Sequence, residues 1–92
     1  MEQYHPRPDL TVTDLGDELV LLDPRDQSMF ALDHVGRFIW TTLPGHSLGE
    51  VAERVVEHYG VERAVVERDL RALVSELRDA GLVLRDTAPR PE

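Results

Sequence analysis

Side chains that could act as nucleophiles are few in this sequence. It contains no cysteine, so neither a thiolate nucleophile nor a thiolate metal site is available. Ser28 starts a predicted strand, Ser47 is a predicted helix N-cap, and Ser75 lies inside a predicted helix. None occupies the strand–turn–helix setting that exposes a serine nucleophile. We therefore expect structural roles for all three serines.

The histidines and acids do not indicate a metal or acid–base site either. The histidines are isolated, and no two have the i,i+4 spacing that places two ligands on one helix face: His5, His34, His46 and His58. Glu50, Glu53 and Glu57 flank Arg54, which is typical of a solvated helix face. Asp69 differs because it borders an apolar helical stripe. The sequence therefore predicts no enzymatic activity, no metal and no cofactor.

The charge of the chain excludes two classes of partner. The 92 residues include ten arginines, no lysine and eighteen acids, for a net charge of −8. Nucleic acids and anionic membranes attract basic surfaces, so neither is an expected partner. No apolar run has the length of a membrane span or a signal peptide. We expect a cytoplasmic location.

The first half of the chain predicts three strands. Apolar and polar residues alternate over Leu10–Leu15, which predicts the first strand. A Gly16-Asp17 turn follows, and the second strand, Glu18–Asp23, contains a run of apolar residues between its two acids. A proline-containing turn then leads into a third short strand, Ser28–Leu32. Consecutive strands joined by short loops predict an antiparallel meander.

The second half predicts three helices. Asp33 is a suitable N-cap for the first, and Ser47 with Glu50 forms a capping-box pattern for the second, which Gly60 ends. The third helix extends from about residue 61 or 62 to residue 80, before a glycine cap. Its apolar stripe consists of Val66, Leu70, Leu73, Val74 and Leu77.

The predicted architecture is a small α+β domain of winged-helix-like shape, with a three-stranded antiparallel meander followed by three helices. We expect the domain to span residues 10–85, with a flexible N-terminal segment at residues 1–9 and a disordered tail at residues 86–92. Residues 82–84 are expected to pack on the core or to add a short strand.

The third predicted strand is a candidate binding edge. Ser28–Leu32 is apolar and contains neither proline nor charge, so its free backbone groups need a partner. The N-terminal segment or a second copy of the chain could cover this edge. Alternatively, an extended peptide could add a strand there. The residues alone leave these alternatives open.

At this point the chain resembles the PqqD-like peptide-recognition domains, also called RiPP recognition elements. The resemblance covers about Leu10 to Val83. It is carried by the ordered set of residues 19–23, 29–33, 39–40, 47–48, 65–73, 77 and 80–83. It implies that the leader of a ribosomally made precursor peptide binds antiparallel to the third strand and against the third helix.

The positions that match this peptide site lie on one strand and one helix face. They are Ser28, Met29, Phe30, Ala31, Leu32, Val66, Asp69, Leu70, Leu73 and Leu77. The family is commonly acidic at the position of Asp69, which implies a polar contact with the leader. The period of the strand predicts that Phe30 and Leu32 face the core.

Within the family, the chain looks most like the standalone recognition proteins of lasso-peptide biosynthesis. The segments Leu22–Arg25 and Phe38–Trp40 favour this subgroup. The resemblance implies a separate leader peptidase, a transglutaminase-like cysteine protease, as the second partner. One alternative is a peptide chaperone for a radical enzyme in pyrroloquinoline quinone-type cofactor biosynthesis. An alternative of another class, a winged-helix DNA-binding regulator, is disfavoured by the negative charge.

Overall fold

The computed structural model describes residues 3–85 and contains five strands and three helices within that range. The elements are β1 (Tyr4–Pro6), β2 (Thr11–Asp14), β3 (Leu19–Leu22), β4 (Met29–Leu32), α1 (His34–Thr42), α2 (Leu48–Tyr59), α3 (Arg63–Asp79) and β5 (Val83–Arg85). The tail expected at residues 86–92 lies outside the described residues.

Strands β2, β3 and β4 form the predicted antiparallel meander, with β3 in the centre. Gly16 has a φ of 92° in the β2–β3 turn, a conformation that an L side chain rarely adopts. Leu19 and Leu21 of β3 are buried, so this strand joins the sheet to the core. The α+β fold class predicted from the sequence, three strands followed by three helices, is confirmed.

The predicted capping residues lie at the start of α1, at both ends of α2 and after the end of α3. The Asp33 carboxylate accepts a hydrogen bond from a backbone N–H of the first turn of α1. Ser47 and Glu50 form a complete capping box at the start of α2, and Gly60 ends α2 in the left-handed conformation. Gly81, with a φ of 75°, follows α3 and donates its N–H to the last turn.

A two-stranded ribbon of β1 and β5 was not predicted. The two strands are antiparallel, with Tyr4 opposite Arg85 and Pro6 opposite Val83. Tyr4 is buried, so part of the segment expected to be flexible at residues 1–9 is a strand packed on the core. The expectation for residues 82–84 is met by β5 and by the buried Leu82.

The core lies between the meander and the helices. It is formed by residues on one side of β3 and β4 and on the inward faces of all three helices. Its largest fully buried apolar side chains are Leu21, Leu43, Val51 and Leu77. Within residues 3–85, no helix combines the length and apolar character needed to cross a bilayer.

Candidate binding groove

Strand β4 is an edge of the meander, and no described residue pairs with its outer side. The Asp23 N–H donates to the Ser28 carbonyl at 2.9 Å, immediately before the β3–β4 ladder. Antiparallel pairs alternate between hydrogen-bonded and non-hydrogen-bonded positions. Phe30 therefore directs its backbone groups towards β3, whereas Met29 and Ala31 direct theirs outward. An incoming strand would meet the N–H and C=O groups of these last two residues.

The side chains of β4 alternate as the sequence predicts. Leu32 is buried and Phe30 is half-buried against the core, whereas Met29 and Ala31 are exposed. Met29 is 70% exposed, which is unusual for a large apolar side chain in a small domain. The strand therefore presents a free backbone edge together with exposed apolar surface.

Beside this edge lies a groove of about 600 Å³ between β4, the first turns of α1, and α3. Its apolar lining comes from all three elements: Phe30, Ala31, Leu32, Val35, Gly36, Ile39 and Leu73. Its polar lining is entirely acidic: Glu18, Asp33, Asp69 and Glu76. The groove can accept an extended apolar segment, and none of the described residues that line it is basic.

A smaller cleft of about 440 Å³ opens elsewhere, between α2 and α3. Arg63 and Arg71 line it, and the Arg63 guanidinium donates to the Gly49 carbonyl. No strand edge borders this cleft. The groove beside β4 is therefore the candidate binding site.

The structure brings together half of the predicted site residues. Phe30, Ala31, Leu32, Asp69 and Leu73 line one groove, although strand and helix are separated by more than thirty residues in the sequence. Of the two remaining predicted residues on the strand, Met29 is exposed, and the Ser28 hydroxyl donates a hydrogen bond to the Asp26 carboxylate at 2.8 Å.

The other predicted helix residues lie in the core. Val66, Leu70 and Leu77 are each at most 5% exposed. Residues on a helix advance by about 100° each, so these three positions point more directly inward than Asp69 and Leu73 do. They support the wall of the groove without lining it.

Six lining residues were not among the predicted site residues: Glu18, Asp33, Val35, Gly36, Ile39 and Glu76. Four of them have a usable signal in the sequence. Glu76 lies seven residues after Asp69, which places both carboxylates on one face of α3. Val35 and Ile39 have i,i+4 spacing on α1 and were assigned to the core only. Glu18 is the position opposite Asp33 if the β3–β4 register is extended by one pair.

A buried ion-pair cluster fixes the turn that precedes β4. The Arg7 guanidinium donates to both carboxylate oxygens of Asp23, at 2.7 and 3.0 Å, and to the Gly81 carbonyl at 2.9 Å. The Arg25 N–H donates to the same carboxylate. The hydrogen bonds from Arg7, with those from Arg25, hold the pKa of Asp23 well below its usual range. Arg7 therefore ties the turn between β3 and β4 to the end of α3. Strand β4 and helix α3 continue from these two points to line the groove.

Ser47, His46 and His58 each make structural contacts. Ser47 is occupied as a helix cap, and no three histidine or acidic side chains within residues 3–85 could hold a metal ion together. The His58 ring stacks on Phe38, with ring centroids 4.5 Å apart, and the His46 ring nitrogen lies 2.9 Å from the Thr42 carbonyl. Both histidines thus have structural contacts.

Comparison with known protein families identifies the family of this chain. Residues 18–83 match the family described as coenzyme PQQ synthesis protein D (PqqD), which is well over half of the chain. The chain belongs to the PqqD family. The matched range begins at Glu18 and ends at Val83, so it contains every residue that lines the groove in this PqqD-family domain. No curated protein sequence matches the chain.

Two solved structures resemble this PqqD-family domain over nearly its whole length. One is TbiB1 in complex with the TbiA(beta) leader peptide, with 30% identity, a TM-score of 0.79, and 94% of this chain and 99% of that chain covered. The other is a lasso peptide synthetase B1 complexed with the leader peptide, with 35% identity, a TM-score of 0.79, and 89% and 98% covered. These matches confirm the resemblance to PqqD-like recognition elements.

Proposed function

We propose that this protein is a non-catalytic recognition domain that binds the leader region of a ribosomally synthesised precursor peptide, specifically a lasso-peptide precursor, and delivers it to a leader peptidase. The observation that carries the proposal is the unpaired outer edge of β4 beside an apolar groove. Adding a strand to such an edge satisfies its backbone groups and gives a peptide main-chain hydrogen bonds.

Each predicted site residue has a proposed role in this arrangement. Met29 and Ala31 offer the outward backbone groups that pair with the leader, which lies antiparallel to β4. Phe30, Leu32 and Leu73 form the apolar wall for the leader's side chains. Ser28 extends the same strand edge, and the core residues Val66, Leu70 and Leu77 hold α3 in place. Asp69 makes a polar contact with the leader.

The complexes of related proteins support the choice of ligand. Both solved structures described above hold a leader peptide, and both cover nearly the whole of this chain. In this arrangement the domain would contribute to processing by raising the effective concentration of the precursor at a peptidase. A transglutaminase-like cysteine protease is the proposed partner.

A direct binding measurement tests this function. A fluorescein-labelled synthetic leader, taken from a precursor gene adjacent to this one, should bind the isolated domain saturably in fluorescence polarisation, without metal or nucleotide. Amide chemical-shift changes on binding should concentrate on β4 and on the Asp69 face of α3. The absence of saturable binding, or shifts confined to the cleft between α2 and α3, would overturn the proposal.

A second candidate function is supported by the family description itself. PqqD is described by its role in coenzyme PQQ synthesis, so a peptide chaperone for a radical enzyme of that pathway is the alternative. Competition between a lasso-type leader and a PQQ-type precursor peptide for the same labelled site distinguishes the two. Preferential binding of the PQQ-type precursor would favour the alternative.

A further inference from the structure

Both charged residues of α3 that line the groove are acidic. Asp69 and Glu76 lie on the flank that borders the groove, with Leu73 between them. On the other flank, Arg71 and Arg78 line a separate cleft. Both pairs are seven residues apart, which is about two helical turns, so each pair forms one stripe along the helix. The groove therefore faces a negative stripe, although arginines are abundant on the same helix.

The groove carboxylates are available to a ligand. Asp69 is 3.6 Å from the Arg68 guanidinium, and both side chains are mostly exposed, so this pair is weak. Glu18 and Glu76 make no ion pair within residues 3–85. Asp33 is held at the start of α1 by one carboxylate oxygen. No arginine within residues 3–85 lines the groove to neutralise these groups.

We infer that the groove selects a peptide strand with lysine or arginine on both sides of an apolar anchor residue. This inference rests on the proposed function and specifies its ligand. The anchor would pack on Phe30, Leu32 and Leu73, and the flanking basic side chains would approach Asp69 and Glu76. An acidic or neutral peptide would bring no positive charge to offset the negative charge of the four carboxylates.

The spacing of the carboxylates sets the positions of the basic residues. Seven helical residues separate Asp69 and Glu76 by about 10 Å along α3. Side chains on one face of a strand repeat every two residues, or about 6.8 Å, so basic residues at positions −2 and +2 from the anchor lie about 14 Å apart. The long side chains of lysine and arginine can close the difference. Basic residues at −1 and +1 would point to the opposite face of the strand.

Selection from a random peptide library tests the inference without knowledge of the natural ligand. Twelve-residue peptides displayed on phage are selected on the folded domain, and binders that lose affinity for the Ala31→Pro variant are retained. We expect lysine and arginine to be enriched at −2 and +2 from an apolar residue. Edge-dependent binders without this enrichment would overturn the inference and leave the proposed function standing. If no edge-dependent binder emerges, both fail.

Two protein variants and one register-shifted peptide sharpen the test. For the best selected peptide, the double variant Asp69→Asn, Glu76→Gln should weaken binding by roughly twofold to 25-fold, because each of the two exposed ion pairs contributes a factor of about 1.4 to 5. The matched control, Glu53→Gln, Glu57→Gln on the outward face of α2, should bind as the natural protein does. Moving both basic residues to −1 and +1 should also weaken binding. Equal affinities across both variants and both peptides would overturn the inference.

Discussion

A single proline at Ala31 tests the geometry of the proposed strand addition. The Ala31 N–H points away from β3, because the ladder bonds of β4 to β3 are made at alternate positions starting from Ser28. Proline removes this N–H without removing a bond of the existing sheet. The variant should therefore fold and bind the leader more weakly.

The expected loss follows from one missing donor. A leader carbonyl left without its partner costs about 1–3 kcal/mol. Because Ala31 is exposed, water can reach this carbonyl, so we expect a loss in the lower half of that range, about 1–2 kcal/mol. A loss of about 1.4 kcal/mol corresponds to a tenfold increase in the Kd for the leader.

Two further prolines serve as controls. Val12 lies on β2, the opposite edge, and its N–H also points outward, since the Leu15 N–H to Glu18 carbonyl bond sets the alternation there. Val12→Pro should fold and bind the leader normally. Phe30→Pro removes a donor of the β3–β4 ladder and should lower the melting temperature strongly. Fluorescence polarisation and circular dichroism measure both properties. Equal leader affinity for folded Ala31→Pro and Val12→Pro would refute strand addition at β4.

Three predictions concern stability. Leu21→Ala should destabilise the fold by about 2–5 kcal/mol in urea unfolding, because Leu21 is fully buried; a loss below about 1 kcal/mol would contradict its place in the core. Deleting the first seven residues should lower the urea midpoint, since it removes the buried Tyr4 and the Arg7 cluster; an unchanged midpoint would restore the view of a flexible segment. The pKa of Asp23 is lowered, so its stabilising contribution is complete above its ordinary pKa of 3.8 and is lost as the pH falls towards the folded-state pKa. Asp23→Asn should therefore lower the urea midpoint at pH 7 and reduce the fall of the midpoint below pH 4. Asp14→Asn breaks an exposed ion pair and serves as the comparison. If Asp23→Asn lowers the midpoint at pH 7 less than Asp14→Asn does, this account is contradicted.

Local sequence patterns predicted the meander and the helices because each element carries its own signal. The capping box at Ser47, the left-handed Gly60 and the alternation of β4 are all determined within a few residues. The candidate site was predicted in outline for a different reason. The family resemblance joined β4 to α3, and the structure brings Phe30 and Leu73 into one groove.

The features that were missed depend on contacts between distant parts of the chain. Strand β1 has three residues, one of them Pro6, and its partner strand begins at Val83. Neither strand carries a periodic signal of useful length. The Arg7–Asp23 pair joins residues sixteen positions apart, and nothing in the local sequence marks either as buried. The sequence did not separate the buried residues of α3 from those that line the groove, because an apolar stripe alone does not reveal which neighbour covers each part of it.

The pairing of β1 with β5 has a consequence for how this domain can be joined to other proteins. Tyr4 lies opposite Arg85, so the chain enters and leaves the domain at neighbouring points. Tyr4 also lines a cleft with Arg71 and Arg78, on the flank of α3 that faces away from the groove. A fusion partner joined directly at residue 4 or at residue 85 would thus be attached on this flank and not beside the groove. The same proximity suits circular permutation, with residues 4 and 85 bridged by a short linker and new ends opened at the exposed Gly16 turn.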